Sequence, residues 1–186
     1  GWACLRWPKE YGGQDATPIE SVIFGQEEGR YDLPPSIYGI GHGMLGPTIM
    51  AHGTDEQKER FLPNMVKGEE VWCQLFSEPD AGSDLAGLKT SARKDGDDYV
   101  INGSKMWITN SPSADFICLL ANTSDDKPHI NKSLIMVPMN TPGISLSSHL
   151  DKLGMRSSET AQVFFDNVRV PQRNRIGHEG AGFMMQ

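Results

Sequence analysis

Apolar positions in the first third of the chain recur at helical spacing, and two of the segments that carry them open with complete capping signals. Thr17-Pro18-Ile19-Glu20 supplies a capping hydroxyl, a proline at the first helical position and a reciprocal glutamate, in a segment whose apolar positions are Ile19, Val22 and Ile23. Thr54-Asp55-Glu56-Gln57 repeats the device, with Gln57 closing the box, acidic residues against the positive helix end, and Phe61, Leu62 and Met65 as the buried stripe. Between them, Ile37, Ile40 and Met44 again have helical spacing but are diluted by Gly39, Gly41, Gly43 and Gly46. Glycines so placed fit close helix packing, the favoured reading, or close approach of the backbone to a ligand.

From about Val71 the texture changes to short apolar runs broken by turn residues, at 71–76, 88–94, 99–101, 105–109, 116–121, 133–138 and 162–165. Strands at such intervals predict a small antiparallel barrel or sandwich. Asn102-Gly103 lies between two of these runs, and Asn-Gly is the preferred pair for a type I′ hairpin because both central residues need positive φ. The expected fold class is therefore α+β: a helical part over 1–70, a β-barrel over 71–178, and over 179–186 the start of a further helical region, with Met184-Met185-Gln186 as its first turn. The abrupt opening at Gly1-Trp2 and the close at Gln186 lead us to expect a fragment of a larger protein.

Composition narrows the function. A net charge of -7 works against broad attraction to nucleic acid or to acidic membrane surfaces. No stretch approaches the roughly 20 consecutive apolar residues of a membrane-spanning helix. Cys4, Cys73 and Cys118 have neither disulfide-framework nor zinc spacing and read as small buried hydrophobes. The five histidines never share helical metal-ligating spacing, so no metal site is expected.

Candidate chemistry concentrates in two segments. In CQLFSEPDAGSD, at 73–84, a strand runs into a loop of small and acidic residues, offering the Ser77 hydroxyl and backbone N–H groups at Gly82 and Ser83 that suit an anion or carbonyl. An ordinary strand and self-capping turn would look the same. In INGSKMWITN, at 101–110, Trp107 and Thr109 fall on one strand face by the period of two. A ring beside a hydroxyl is what a flat heteroaromatic cofactor requires, although a strand tryptophan is more often core.

Together these segments resemble the paired signature of the acyl-CoA dehydrogenase family. WPKEYGG at 7–13, GTDEQKERFLP at 53–63, LGMRSSET at 153–160 and FDNVRVP at 165–171 followed by Gly-Ala-Gly-Phe extend the resemblance over essentially the whole chain. It implies an N-terminal helical domain and a middle β-barrel, without the family's C-terminal four-helix domain. It implies that Gln74, Phe76 and Ser77 bind the pyrimidine part of FAD, that Trp107, Ile108 and Thr109 line the flavin, and that Gly82 belongs to the same loop. Ser83 would sit where flavin loop and CoA thioester meet, Ser158 would contact CoA, and Arg156 would face CoA phosphates or form a structural ion pair.

The implied reaction is α-proton abstraction from an acyl-CoA thioester coupled to hydride transfer from the β carbon to the flavin, giving a trans-2-enoyl-CoA. The resemblance places the glutamate base beyond Gln186, so no catalytic residue is expected here, and Glu78 and Glu159 match no base role. Gln74 and Asp80 depart from the commoner family pattern of an aromatic and a glycine, which fits branches acting on larger or atypical acyl groups. The resemblance further implies electron-transferring flavoprotein as acceptor, a homo-oligomer (dimer or tetramer), and a bacterial cytoplasmic or, in a eukaryote, mitochondrial matrix location. The alternatives are an acyl-CoA oxidase or flavin monooxygenase of the same fold, or a non-catalytic subunit of a hetero-oligomer.

Overall fold

The structure, a computed structural model, describes residues 2–34 and 36–185. Three helices precede the sheet: α1 (Pro18–Glu28), α2 (Gly46–His52) and α3 (Asp55–Lys67). Both predicted capping boxes form, with Thr17 and Thr54 each accepting from the third helical amide while Glu20 and Gln57 reach back. Gly68 ends α3 in the left-handed conformation a glycine takes without steric cost.

A π turn over Gly41–Leu45 runs straight into α2, the Gly46 amide reaching five residues back to the Gly41 carbonyl. Pro47, two residues beyond the π turn, has no N–H and a ring that crowds the preceding turn of a regular helix. The wider turn also rotates the apolar stripe. Leu45 and Ile49 are buried whereas Ile37 and Met44 are nearly half exposed, so the predicted stripe of Ile37, Ile40 and Met44 is displaced. At Gly46 the packing reading of the glycines is right: an added Cβ would lie 2.0 Å from the indole of Trp7.

Eight strands follow: β1 (Trp72–Leu75), β2 (Ser91–Asp95), β3 (Asp98–Thr109), β4 (Phe116–Asn122), β5 (Lys132–Pro138), β6 (Ile144–Leu146), β7 (Thr160–Pro171) and β8 (Arg175–Ile176). They form one sheet in the order β6-β7-β3-β2-β4-β5-β8, with β1 also on β4. Most pairings are antiparallel, as expected, but β1 runs parallel to β4, and β2 meets β4 in parallel at Ser91 and Asn122. On β4, Ile117 and Leu119 face a core with Tyr99, Ile101, Val163 and Val168, while Cys118 and Leu120 face Leu45, Ile49, Leu62 and Trp72. Burial on both faces explains why β4 reads as one unbroken apolar run.

The hairpin expected at Asn102-Gly103 does not form. The two runs flanking it are collinear parts of the single strand β3, and the β2–β3 turn is Gly96-Asp97, closed by the Asp95–Asp98 pair. Gly103 instead occupies an irregularity in the β3–β7 ladder, with φ +144° and an added Cβ only 2.5 Å from the Thr90 hydroxyl. Glycine is required there by close approach, not by a turn. At the C-terminal end, Met184 and Met185 amides both donate to the Ala181 carbonyl, making a single turn, and Gln186 lies outside the described residues.

Candidate functional site

The loop after β1 is closed on itself and then clamped to β3. Glu78 and Ala81 exchange backbone hydrogen bonds of 2.8 and 3.1 Å around Pro79-Asp80. Inside that turn the Glu78 carboxylate, 7% exposed, accepts from the amides of Lys89 at 2.6 Å and Thr90 at 2.9 Å and from the ammonium of Lys105 at 2.9 Å. Lys105 is fully buried and also donates to the Phe76 carbonyl at 2.9 Å, while the next residue, Met106, donates its amide to the Ser77 carbonyl at 2.9 Å. Burial alone would raise the Glu78 carboxyl, but the Lys105 charge and hydrogen bonds from Thr90, Lys89 and Lys105 outweigh it and hold Glu78 below the usual glutamate range. Burial brings the Lys105 ammonium down to about 8 against the opposing pull of Glu78.

Directly after Lys105 the β3–β7 register slips by one residue: Lys105 faces Val163 but Ile108 faces Ala161. Trp107 takes up the slip with φ +64°, so strict alternation does not hold through this stretch. Its indole is 61% exposed, which removes the core reading, whereas Ile108 is 2% exposed and its side chain belongs to the core. Any contribution of Ile108 to a ligand therefore comes through its backbone. Thr109 is half-buried and pairs with Thr160, and the adjacent Asn110 amide donates to the Glu159 carbonyl at 3.0 Å. These links bring the segment around Ser158 beside the end of β3.

The fold thus gathers three of the predicted segments: 74–77 is joined to 105–106 through Lys105 and Met106, and 109–110 to 159–160 through the ladder. Gln74 and Phe76 line a cavity of about 270 Å³ with Gly43, Met44, Thr48 and Met185 among its other walls. Gly82 and Ser83 are exposed, and neither amide donates a backbone hydrogen bond among the described residues. Ser158 is held by the Lys152 ammonium, which donates to its carbonyl and to the Thr160 hydroxyl. Arg156 is paired with Asp151 at 3.0 Å on the surface, with both side chains mostly exposed.

A planar heteroaromatic group fits this arrangement. The exposed Trp107 ring is a wall, the Ser77 and Thr109 hydroxyls make no side-chain hydrogen bond among the described residues, and the 76–77 backbone is held rigidly beside them. Two carboxylates of these segments already have partners: Glu78 is held by Lys105 and two amides, and Glu159 accepts from the Ser113 hydroxyl. The sequence reading missed Lys105 altogether. A lysine between Ser104 and Met106 carries no local sign of burial, because its partner stands 27 positions away. Among the described residues no cluster of three or more histidine, cysteine, aspartate or glutamate side chains suits a metal ion.

Comparison with known proteins identifies the two halves of the chain. The model of the acyl-CoA dehydrogenase N-terminal domain matches residues 1–69, and that of the acyl-CoA dehydrogenase middle domain matches 73–168. Acyl-CoA dehydrogenase FadE26 of Mycobacterium tuberculosis is 40% identical over 190 residues, covering 100% of this chain and 46% of FadE26. The crystal structure of the ChsE4-ChsE5 complex from Mycobacterium tuberculosis superposes with a TM-score of 0.90 at 40% identity, over 100% of this chain and 47% of that one. The Tcur3481-Tcur3483 steroid ACAD gives 0.91 at 35% identity, again over 100% and 47%. The chain spans about half the length of the relatives it matches, and it belongs to the acyl-CoA dehydrogenase family.

Proposed function

We propose that this chain forms the flavin-holding, thioester-facing part of an FAD-dependent acyl-CoA dehydrogenase that converts an acyl-CoA to the trans-2-enoyl-CoA. The observation that carries the reading is the Trp107 shelf: an exposed indole on a left-handed bulge of β3, next to a backbone at Phe76 and Ser77 clamped through Lys105 and Met106. When bound there, the flavin supplies the acceptor for the hydride leaving the substrate β carbon. The chain's own part is to orient and enclose. Backbone at Phe76 and Ser77 and the Thr109 hydroxyl hold the edge of the ring, Trp107 covers one face, and Ser83 and Ser158 bind the CoA ester.

We assign proton abstraction to neither Glu78, which is buried and held by the Lys105 ammonium and two amides, nor Glu159. Arg156, at the surface with Asp151, would turn toward CoA phosphates only by giving up that pair. Electron-transferring flavoprotein as acceptor, assembly as a homotetramer, a role in fatty-acid β-oxidation and a cytoplasmic or mitochondrial matrix location complete the reading. A second reading, membership of a heteromeric dehydrogenase, is favoured by the likeness to two solved structures that each pair two named proteins, ChsE4 with ChsE5 and Tcur3481 with Tcur3483.

The test is FAD retention by the full-length protein carrying this chain. Ser77→Ala, Trp107→Ala and Thr109→Val should each lower flavin content after gel filtration. The threonine change should cost about 1–3 kcal/mol of cofactor binding, as expected for a buried partner left unpaired. Flavin content and turnover unchanged across all three variants would remove the assignment.

A further inference from the structure

Lys105 and Glu78 are the one ion pair among the described residues with both side chains buried, and together they tie the end of β1, the residues before β2 and the middle of β3. Through Glu78 the pair holds the Lys89 and Thr90 amides just before β2, and through Lys105 it holds the Phe76 carbonyl at the end of β1. Lys105 itself stands between the two irregularities of the β3–β7 ladder, at 101–103 and 105–108.

A strand interrupted twice has weak register information of its own, because a slip of one residue turns each side chain to the opposite face. Replacing a buried ion pair by well-packed apolar groups is often neutral for stability, and such pairs are best attested as devices that fix register. A lysine that must reach a carboxylate inside the domain allows β3 only one setting. In that setting Lys105 points inward, the bulge falls at 106–107, and the indole of Trp107 emerges on the open face.

We infer that the Glu78–Lys105 pair is a register lock for the cofactor shelf, with both residues acting as positioning residues that fix Trp107 and the 76–77 backbone against the flavin. The inference rests on the cofactor reading given above. It assigns to Glu78 and Lys105 no contact with substrate or flavin.

The experiment compares the full-length holoprotein with Glu78→Gln and with the double variant Glu78→Gln/Lys105→Met, measuring thermal stability, the FAD dissociation constant of the reconstituted apoprotein, and the visible flavin spectrum. The double variant removes both charges together and is expected to melt within a few degrees of the unmodified protein. Its FAD dissociation constant should nevertheless rise tenfold or more, with a shifted flavin spectrum. A double variant that regains both stability and unmodified FAD affinity would show the pair to be a structural contact and nothing more. If the double variant fails to fold, Glu78→Gln alone decides on the same readouts, since it keeps an oxygen acceptor for the Thr90 amide. Unfolding of both variants would make the pair a stability element and overturn the inference. Absence of flavin from the unmodified protein would instead overturn the cofactor reading, so the two failures are distinguishable.

Discussion

Replacing Lys105 by methionine removes the ammonium from beside Glu78 while keeping most of the side-chain volume. Glu78 stays 7% exposed with only the Lys89 and Thr90 amides as partners. Leaving one member of a buried pair uncompensated costs about 3–5 kcal/mol. For a chain of 186 residues each kcal/mol moves the melting temperature by roughly 2–4 °C, so the loss should be on the order of 6–20 °C at neutral pH. The pH dependence identifies the cause. In the unmodified protein Glu78 lies below the ordinary glutamate range, so its stabilisation is full above that range and is lost as pH falls through the folded-state value. Without the ammonium the folded-state carboxyl moves up, the variant takes its proton at higher pH, and its deficit shrinks on acidification. Thermal melts between about pH 7 and pH 5 should therefore converge. A deficit below about 2 °C at neutral pH, or one independent of pH, would refute the argument.

Three further outcomes follow from the packing. Gly46→Ala gains about 1 kcal/mol of helix propensity but sets a methyl 2.0 Å from the buried Trp7 ring, and overpacking of about 1–3 kcal/mol or more should win, lowering the melting temperature in a thermal scan. Two inserted glycines between Gly96 and Asp97 should be tolerated, whereas the same insertion between Asn102 and Gly103 should abolish folding, as judged by circular dichroism, because it splits β3. Thr54→Ala should cost about 1 kcal/mol in denaturant unfolding through loss of the α3 cap.

What could be read in the sequence was what is encoded locally. Capping boxes lie within four residues, so both helix starts were legible, and β4 announced itself as an apolar run because both its faces are covered. Gly103 misled because glycine serves a hairpin and a bulge equally, and only the approach of Thr90 from another segment decides between them. The turn that forms, Gly96-Asp97, is also a dipeptide suited to a two-residue hairpin, one that the sequence reading does not single out. Strands β6 and β8, of 3 and 2 residues, are too short to show a period. The parallel pairing of β1 with β4 and the Glu78–Lys105 clamp depend on partners far along the chain, which no local pattern records.

Whether the Trp107 shelf holds a flavin that oxidises an acyl-CoA is decided by anaerobic titration of the full-length holoprotein. A bound yellow flavin should bleach stoichiometrically in its visible absorbance with acyl-CoA, and that response should be lost in Trp107→Ala and Thr109→Val in parallel with FAD. A purified protein that binds no flavin, or whose flavin is bleached equally well in both variants, would contradict this assignment.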